Sequence, residues 1–156
     1  MAIAPTVKSF LREHHVDYDV VVHPKTLTSM ETAAKSHVPG DRLVKCVVIE
    51  DDQGYLMVAL PSTHRLELGQ LHRQLQRNLG LATERELVGL FKDCDPGAIP
   101  PIGPAYGIET VVDDSLLQKD DVYFEAGDHE ELIHVSGKQF QDMISGARHG
   151  RFSHHV

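Results

Sequence analysis

The chain of 156 residues has no tryptophan, two cysteines and few aromatic residues, 6% in all. Two cysteines, Cys46 and Cys94, are too few for a disulfide framework and lack metal-type spacing, so they read as reduced thiols of a cytoplasmic protein. No run approaches the roughly 18 apolar residues that a membrane-spanning helix needs. Met1-Ala2-Ile3-Ala4-Pro5 has no charged segment followed by an apolar run, so no signal peptide is expected. A P-loop, a dinucleotide fingerprint, GxSxG and HExxH are all missing. The 11 histidines raise the question of metal. No His-x-x-x-His falls on a convincing helix, and the pairs His14-His15 and His154-His155 are poorly spaced for joint ligation. Neither a metal nor another cofactor is expected.

Positive charge is also scarce: 15 Lys and Arg stand against 23 Asp and Glu, a net charge of -8. At first sight this argues against a nucleic-acid partner, and no DNA partner is expected. The deficit is uneven, with nine basic and nine acidic residues through Gly80 and six against fourteen from Leu81 onward. A local basic patch of Lys25, Lys35, Arg42, Lys45 and Arg65 would give weak, salt-sensitive phosphate contact. The alternative is a scatter of solvated charges.

Apolar residues at 41% and charged residues at 24% fit an ordinary globular domain, and the length suits one domain rather than two. Val7, Phe10 and Leu11 fall on one face of a helix over Pro5 to His15. Tyr18 to Val22 reads as a strand. Thr28-Ser29-Met30-Glu31 is a capping-box pattern opening a short helix that Pro39-Gly40 stops. Arg42 to Glu50 and Tyr55 to Leu60 read as strands of a hairpin turning at Asp51 to Gly54. Leu66, Leu68, Leu71, Leu75 and Leu79 predict a helix of about four turns. Thr83-Glu84-Arg85-Glu86 caps another helix, and Lys92 to Gly107 fits no regular element. Strands over Ile108 to Val112, Val122 to Glu125 and Glu131 to Val135 precede a last helix capped at Ser136. The expected fold is a single α+β domain with a mixed, mostly antiparallel sheet flanked by helices.

Two features stand out chemically. Lys45 lies mid-strand in Leu43-Val44-Lys45-Cys46-Val47-Val48-Ile49, and alternation sets it with Val47 and Ile49, opposite Val44, Cys46 and Val48. A lysine there either reaches a cleft, where it can hold a phosphate, polarise a carbonyl or form a Schiff base, or it guards a strand edge. The second feature is Asp95-Pro96-Gly97-Ala98-Ile99-Pro100-Pro101. Prolines stiffen both sides of Gly97, and such a loop either presents backbone N–H groups to a developing oxyanion or is a rigid connector. Cys94 beside it reads more simply as a small buried hydrophobe than as a nucleophile.

In order and spacing these residues resemble the YbaK/ProX family, the free-standing relatives of the editing domain inserted in bacterial prolyl-tRNA synthetase. The resemblance runs from about Asp17 to Ser145. It rests on the His23-to-Thr28 segment before a helix, Pro39-Gly40, Lys45, the hairpin and Leu66-Glu67-Leu68. Gly97-Ala98-Ile99-Pro100-Pro101 matches a GxxxP loop, and Asp113-Asp114-Ser115-Leu116 and Glu125-Ala126-Gly127 complete the set. The resemblance implies a deacylase acting in trans on the 3′ end of mischarged aminoacyl-tRNA, with an aminoacyl-tRNA synthetase as a further partner and no membrane or cofactor. It implies catalytic roles for Lys45, which orients the ester or terminal adenosine, and for Gly97, Ala98, Ile99 and Pro101, whose loop amides hold the carbonyl. Water activated by the ribose hydroxyl of the tRNA would attack. It also implies substrate contacts at His23, Thr28, Ser62, Asp113, Gly127 and His129. Family members that remove alanine commonly carry Asn where Cys46 stands, which leaves the amino acid open. A non-catalytic tRNA- or synthetase-binding module and a Lys45 Schiff-base enzyme are the other readings. The editing domain is expected over residues 1–147, with a flexible tail at 148–156.

Overall fold

Among the described residues the α-helices and strands follow one another as α1 (Pro5–Glu13), β1 (Asp19–Val22), α2 (Ser29–Ser36), β2 (Leu43–Asp51), β3 (Gly54–Pro61), β4 (His64–Leu66), α3 (Leu68–Leu75) and β5 (Gly80–Leu81), then α4 (Glu84–Leu90), β6 (Glu109–Asp113), β7 (Asp121–Glu125), β8 (Glu131–Ser136), α5 (Gly137–Met143), β9 (Arg148–Gly150) and β10 (Ser153–His155). They are seen in a computed structural model that describes residues 3–26, 28–95 and 97–156. Leu27, in the segment leading to α2, and Pro96, expected to brace one side of Gly97, lie outside the described residues, as do Met1 and Ala2.

The main sheet runs β1-β8-β7-β2-β3-β6-β9, with β5 paired to the far end of β2, and β10 pairs with β4 in a second small sheet. Neighbours β1/β8, β7/β8, β2/β3 and β2/β5 are antiparallel, whereas β2/β7, β3/β6 and β6/β9 are parallel. This is the α+β arrangement expected.

Strand alternation sorts the core onto two faces. On one, Val44, Ala59, Val112, Phe124 and Ile133 meet Val7, Phe10 and Leu11 of α1 and Phe140 and Met143 of α5. On the other, Ile49, Leu56, Val58, Leu60 and Val111 meet Leu71 of α3, while Leu43 and Leu132 meet Ala33 of α2. The caps anticipated from sequence are made. The Thr28 side chain accepts from the Glu31 N–H, and Thr83/Glu86 and Ser136/Gln139 form reciprocal boxes.

Two expectations are corrected. The leucine-rich stretch is not one helix of four turns but β4, a two-turn α3 and β5. Gln76 takes a left-handed φ of 56° and ends α3, and Arg77 then pairs with Asp51 and Glu109, turning the chain back toward β2. Leu66, Leu68, Leu75 and Leu79 still pack on the same core, so the apolar pattern reported burial correctly but not continuity. Nor do residues 148–156 form a loose tail. Strand β9 pairs with β6, β10 pairs with β4, and between them Phe152 is 2% exposed in the core. Its N–H donates to the Asp113 carboxylate (3.0 Å) and its carbonyl accepts from the Glu67 N–H (2.7 Å). The Arg, His and Gly content of this segment hid a strand pair held by one aromatic anchor. Phe152→Ala is expected to cost about 3–5 kcal/mol, read as a lower urea midpoint at unchanged slope; a cost below about 1 kcal/mol would mean that the segment is only loosely attached.

Candidate functional site

The site begins with a break in the sheet. The β2/β7 ladder ends at Val44 opposite Phe124, and the β2/β5 ladder starts at Ile49 opposite Leu81. Among the described residues no strand covers that flank of β2 from Lys45 to Val47. The Leu43 carbonyl accepts from Ser62 on the β3 side and the Val48 carbonyl accepts from Ala82 on the other. By alternation the peptide groups of Cys46 therefore point into the gap. The gap opens beyond the carboxyl end of β7, and the carboxyl ends of parallel strands are where open sheets commonly receive ligands.

On one side of β2, Lys45 lines a cavity of about 620 Å³ with Met30, Ser62, His64, Arg65, Leu66 and Leu81. Half-burial holds the Lys45 ammonium below the ordinary lysine range, and the nearby charge of Arg65 adds to the shift. Met30, Leu81 and Val156 at this cavity are among the large apolar side chains left exposed. The cavity thus joins two cations to an apolar surface.

On the other side, the Cys46 thiol donates to the Ile99 carbonyl at 3.4 Å and so fastens the Gly97–Pro101 loop to β2. Gly97 and Ile99 line a second cavity of about 200 Å³ with Glu84, Leu87, Val88, Cys94 and Asp95. Lys45 and the loop therefore border one gap from opposite faces of a strand rather than sharing one cavity. Ala98 is buried and its N–H donates to the Asp95 carbonyl (3.1 Å), while Pro100 and Pro101 have no N–H. This leaves the amides of Gly97 and Ile99 as the loop's candidates for an oxyanion. Burial pushes the Cys46 and Cys94 thiols up to about 12, so both stay protonated and neither is an activated nucleophile.

Gly97 has φ 82°, and a Cβ there would come within 3.0 Å of the His129 ring. Here glycine is required twice, by the backbone and by the close approach. His129 itself has φ 62°, a left-handed conformation costing a non-glycine residue roughly 1–2 kcal/mol. Its Nδ1 lies 3.5 Å from Glu125 Oε2, an ion-pair distance too long for a hydrogen bond, and Oε2 is buried without a hydrogen bond among the described residues. Glu125 Oε1 meets His23 Nε2 at 2.9 Å, and His23 Nδ1 donates to the Pro24 carbonyl at 2.8 Å. Burial is the main cause that raises the Glu125 carboxyl, opposed by His23 and His129.

Of the expected substrate contacts, His23 and His129 thus meet through Glu125 behind the loop, and Ser62 lines the Lys45 cavity with its hydroxyl donating to the Gly40 carbonyl. The other three sit in structural roles. Thr28 is the exposed cap of α2. The Asp113 carboxylate accepts from the Ser115 N–H (3.2 Å) and hydroxyl (2.5 Å) and from the Phe152 N–H. Gly127, at φ 107°, would place a Cβ 2.8 Å from that of Ala4, and its carbonyl accepts from the Asp95 N–H (2.7 Å). It ties the loop to the β7 turn. Sequence reasoning named Arg65 beside Lys45 in a basic patch, and these two do line one cavity, but it missed Glu125 as a partner of His23. Glu125 carried a signal akin to that of Lys45, a charge in an apolar strand, here at the end of the run Val122 to Phe124.

With this geometry in view, the sequence matches the model of the aminoacyl-tRNA editing domain over residues 23–143, and the chain belongs to that family. Curated proteins include no match. Among solved structures the chain is similar to the hypothetical protein APE2540, with 25% identity and a TM-score of 0.83 over 96% of this chain and 99% of that one. A candidate trans-editing enzyme for prolyl tRNA synthetase shares the fold at 23% identity and a TM-score of 0.81, covering 98% and 99%. A candidate signal transduction protein from Marinobacter aquaeolei shares it at 20% identity and 0.76, over 95% of this chain but 30% of that one. Among the described residues no helix is long and apolar enough to cross a membrane.

Burial of Glu125 has a consequence for stability. The folded chain keeps this proton at a pH where the unfolded chain, titrating near 4.5, has lost it. The stability that the site contributes is therefore present at low pH and declines as pH rises from the ordinary carboxyl value toward the raised one. Glu125→Gln has no such proton to lose. Between about pH 4 and pH 7 the urea midpoint of the unsubstituted protein is expected to fall relative to that of Glu125→Gln; parallel profiles would show that Glu125 titrates as it does in the unfolded chain.

Proposed function

We propose that this chain hydrolyses the ester of wrongly charged aminoacyl-tRNA in trans, in the cytoplasm, with the 3′ end of the tRNA seated in the gap beside β2. The carrying observation is the pair of unequal cavities on either side of Cys46. A cavity of about 620 Å³ lies within the roughly 300–1,000 Å³ range of small-molecule sites and suits a terminal nucleotide, its phosphate near Lys45 and Arg65 and its base against Met30 and Leu81. The smaller one, about 200 Å³, suits an aminoacyl group. The ester between them would pass the open flank of β2, its carbonyl oxygen near the Gly97 and Ile99 amides.

The chemistry asked of the protein is modest. An ester is already activated, and two amide donors lower the barrier by stabilising charge as it develops on the carbonyl oxygen. Lys45 serves as a positioning charge that holds the substrate across the strand. The family match and the candidate trans-editing enzyme of the same fold support this reading. A binding module without turnover, acting with a synthetase, has one observation in its favour: the Ala98 amide is already engaged, which leaves a sparse oxyanion hole.

The test is a panel of Ala, Ser, Cys, Thr and Pro esters on correct and incorrect tRNAs. Release from at least one mischarged tRNA is expected, and Lys45→Ala should slow it by about 10²-fold or more with the thermal transition unchanged. Unchanged turnover in Lys45→Ala would remove Lys45 from the mechanism. Binding across the panel without release would select the non-catalytic module.

A further inference from the structure

We propose that the paired rings of His64 and His155 are the surface on which the 3′-terminal adenine of the tRNA stacks in the cavity at Lys45; this rests on reading that cavity as the seat of the tRNA 3′ end. His64 comes from β4 and His155 from β10, and β10 lies beyond residues 23–143, where the chain matches the editing-domain model. The match itself therefore says nothing of this wall.

Register brings the two rings together. Strand β10 runs antiparallel to β4 with His155 opposite His64, and residues directly opposite share a face of the pair. Their ring centroids are 5.7 Å apart at an interplanar angle of 71°, edge to face. Such a contact uses an edge of one ring and one face of the other, which leaves ring faces for a third partner. Both rings line the cavity. The pair is held in place from both sides: the Ser153 hydroxyl lies 2.8 Å from His64 Nδ1, and the Val156 N–H donates to the Thr63 carbonyl at 2.9 Å. His154, the neighbour in β10, turns instead to Glu67, with its Nδ1 3.5 Å from Oε1.

The chemistry of the cavity selects a nucleotide. An aliphatic wall alone would accept any apolar group, and a cation alone any anion. Here Lys45 and Arg65 stand beside the ring pair, which matches a phosphate joined to a flat base. Histidine is one of the side chains on which unpaired bases stack, and among the residues lining this cavity His64 and His155 are the aromatic ones. A purine offers the larger stacking surface. Burial is the main cause that holds His64 below the ordinary histidine range, with the charges of His155, Lys119 and Lys45 adding to it and that of Asp113 opposing. The His64 ring is thus neutral at pH 7, and the phosphate is left to Lys45 and Arg65. Stacking holds the base alike before and during reaction, so its loss falls on KM rather than on kcat.

The probe is 5′-AMP, which carries the base, ribose and phosphate of the terminal nucleotide, with ribose 5-phosphate as its counterpart without the base. Followed by NMR titration, 5′-AMP should bind more tightly than ribose 5-phosphate and should shift the ring protons of His64 and His155 upfield. His155→Ala should weaken 5′-AMP about fivefold or more and leave ribose 5-phosphate unchanged. His155→Phe, which keeps a ring without a titratable nitrogen, should retain the affinity for 5′-AMP, and His154→Ala should alter neither ligand. On the tRNA ester released fastest, His155→Ala should raise KM by a similar factor at nearly constant kcat. Equal affinities for the two ligands, an equal loss for both in His155→Ala, or a loss in His155→Phe as large as in His155→Ala would each overturn the proposal. Failure of the deacylase reading shows differently, as 5′-AMP seated on the rings while no tRNA ester is released.

Discussion

The arrangement depends on how far β2 is paired along one side. Its partner β7 stays with it for two residues, Leu43 and Val44, and β5 arrives only at Ile49. Had β7 continued, Cys46 would have been an interior ladder residue, and Lys45 would have been buried under a closed sheet or forced to the edge. The turn after β7 holds the break open. Gly127 leads the chain away, its carbonyl accepts the Asp95 N–H, and Asp128 takes the N–H groups of Glu130 and Glu131 at 3.0 Å each. The same turn therefore ends the strand, anchors the loop and delivers His129. Because these three jobs share a few backbone hydrogen bonds, the geometry of the gap and that of the loop cannot vary independently.

Charge is placed around this gap at a cost that the fold offsets unequally. Lys45 is only half-buried and keeps contact with water, so its ammonium is lowered without needing a counter-ion. Glu125 has no such outlet. It is buried between Phe124 and Ala126 in the chain, and only His23 and His129 oppose the desolvation. A buried acid with one incompletely satisfied oxygen lowers stability compared with an apolar residue of similar volume. Such a group has a rationale where it orients something else. The left-handed backbone of His129 and the steric fit of Gly97 to its ring are further strains gathered at the same few residues, which is where strain in a folded chain tends to serve function.

Much of this was legible in the sequence where local chemistry decides. The caps at Thr28, Thr83 and Ser136, the Asp51–Gly54 turn and the alternation around Lys45 are short-range signals, and each appears in the structure as read. The failures were long-range. Nothing local in Gly146 to Val156 says that Phe152 will find a core built from α3, β3 and β6, and nothing in a leucine repeat says that Gln76 will reverse the chain so that Arg77 can reach Asp51 and Glu109. The candidate site divides along the same line. Lys45 and Gly97 were visible as local oddities. That they flank one gap from opposite faces, and that His23 reaches His129 through a glutamate about a hundred residues along the chain, depends on pairing order that periodicity does not encode.

The division of the site between two faces also bears on Cys46. In family members that remove alanine an Asn commonly follows the strand lysine, and an amide there would bring two N–H donors and an acceptor to the face toward the loop. Here the side chain is a thiol, pushed up to about 12 by burial and spending its weak donor on the Ile99 carbonyl. The cavity beside Gly97 is bordered by Leu87, Val88, Cys94 and Ile99 together with the acids Glu84 and Asp95. Glu84 and Asp95 are the carboxylates there that could accept from a side-chain hydroxyl, and discrimination between groups differing by one methylene is worth only about 1–3 kcal/mol. On the proposed deacylase reading, selection among small apolar aminoacyl groups would come from the shape of the cavity, whereas the loop amides and the cations across the strand would meet the ester. On that reading Lys45 and Gly97 bear on the reaction, and Cys46, between the lysine and the rest of β2, bears on the choice of substrate.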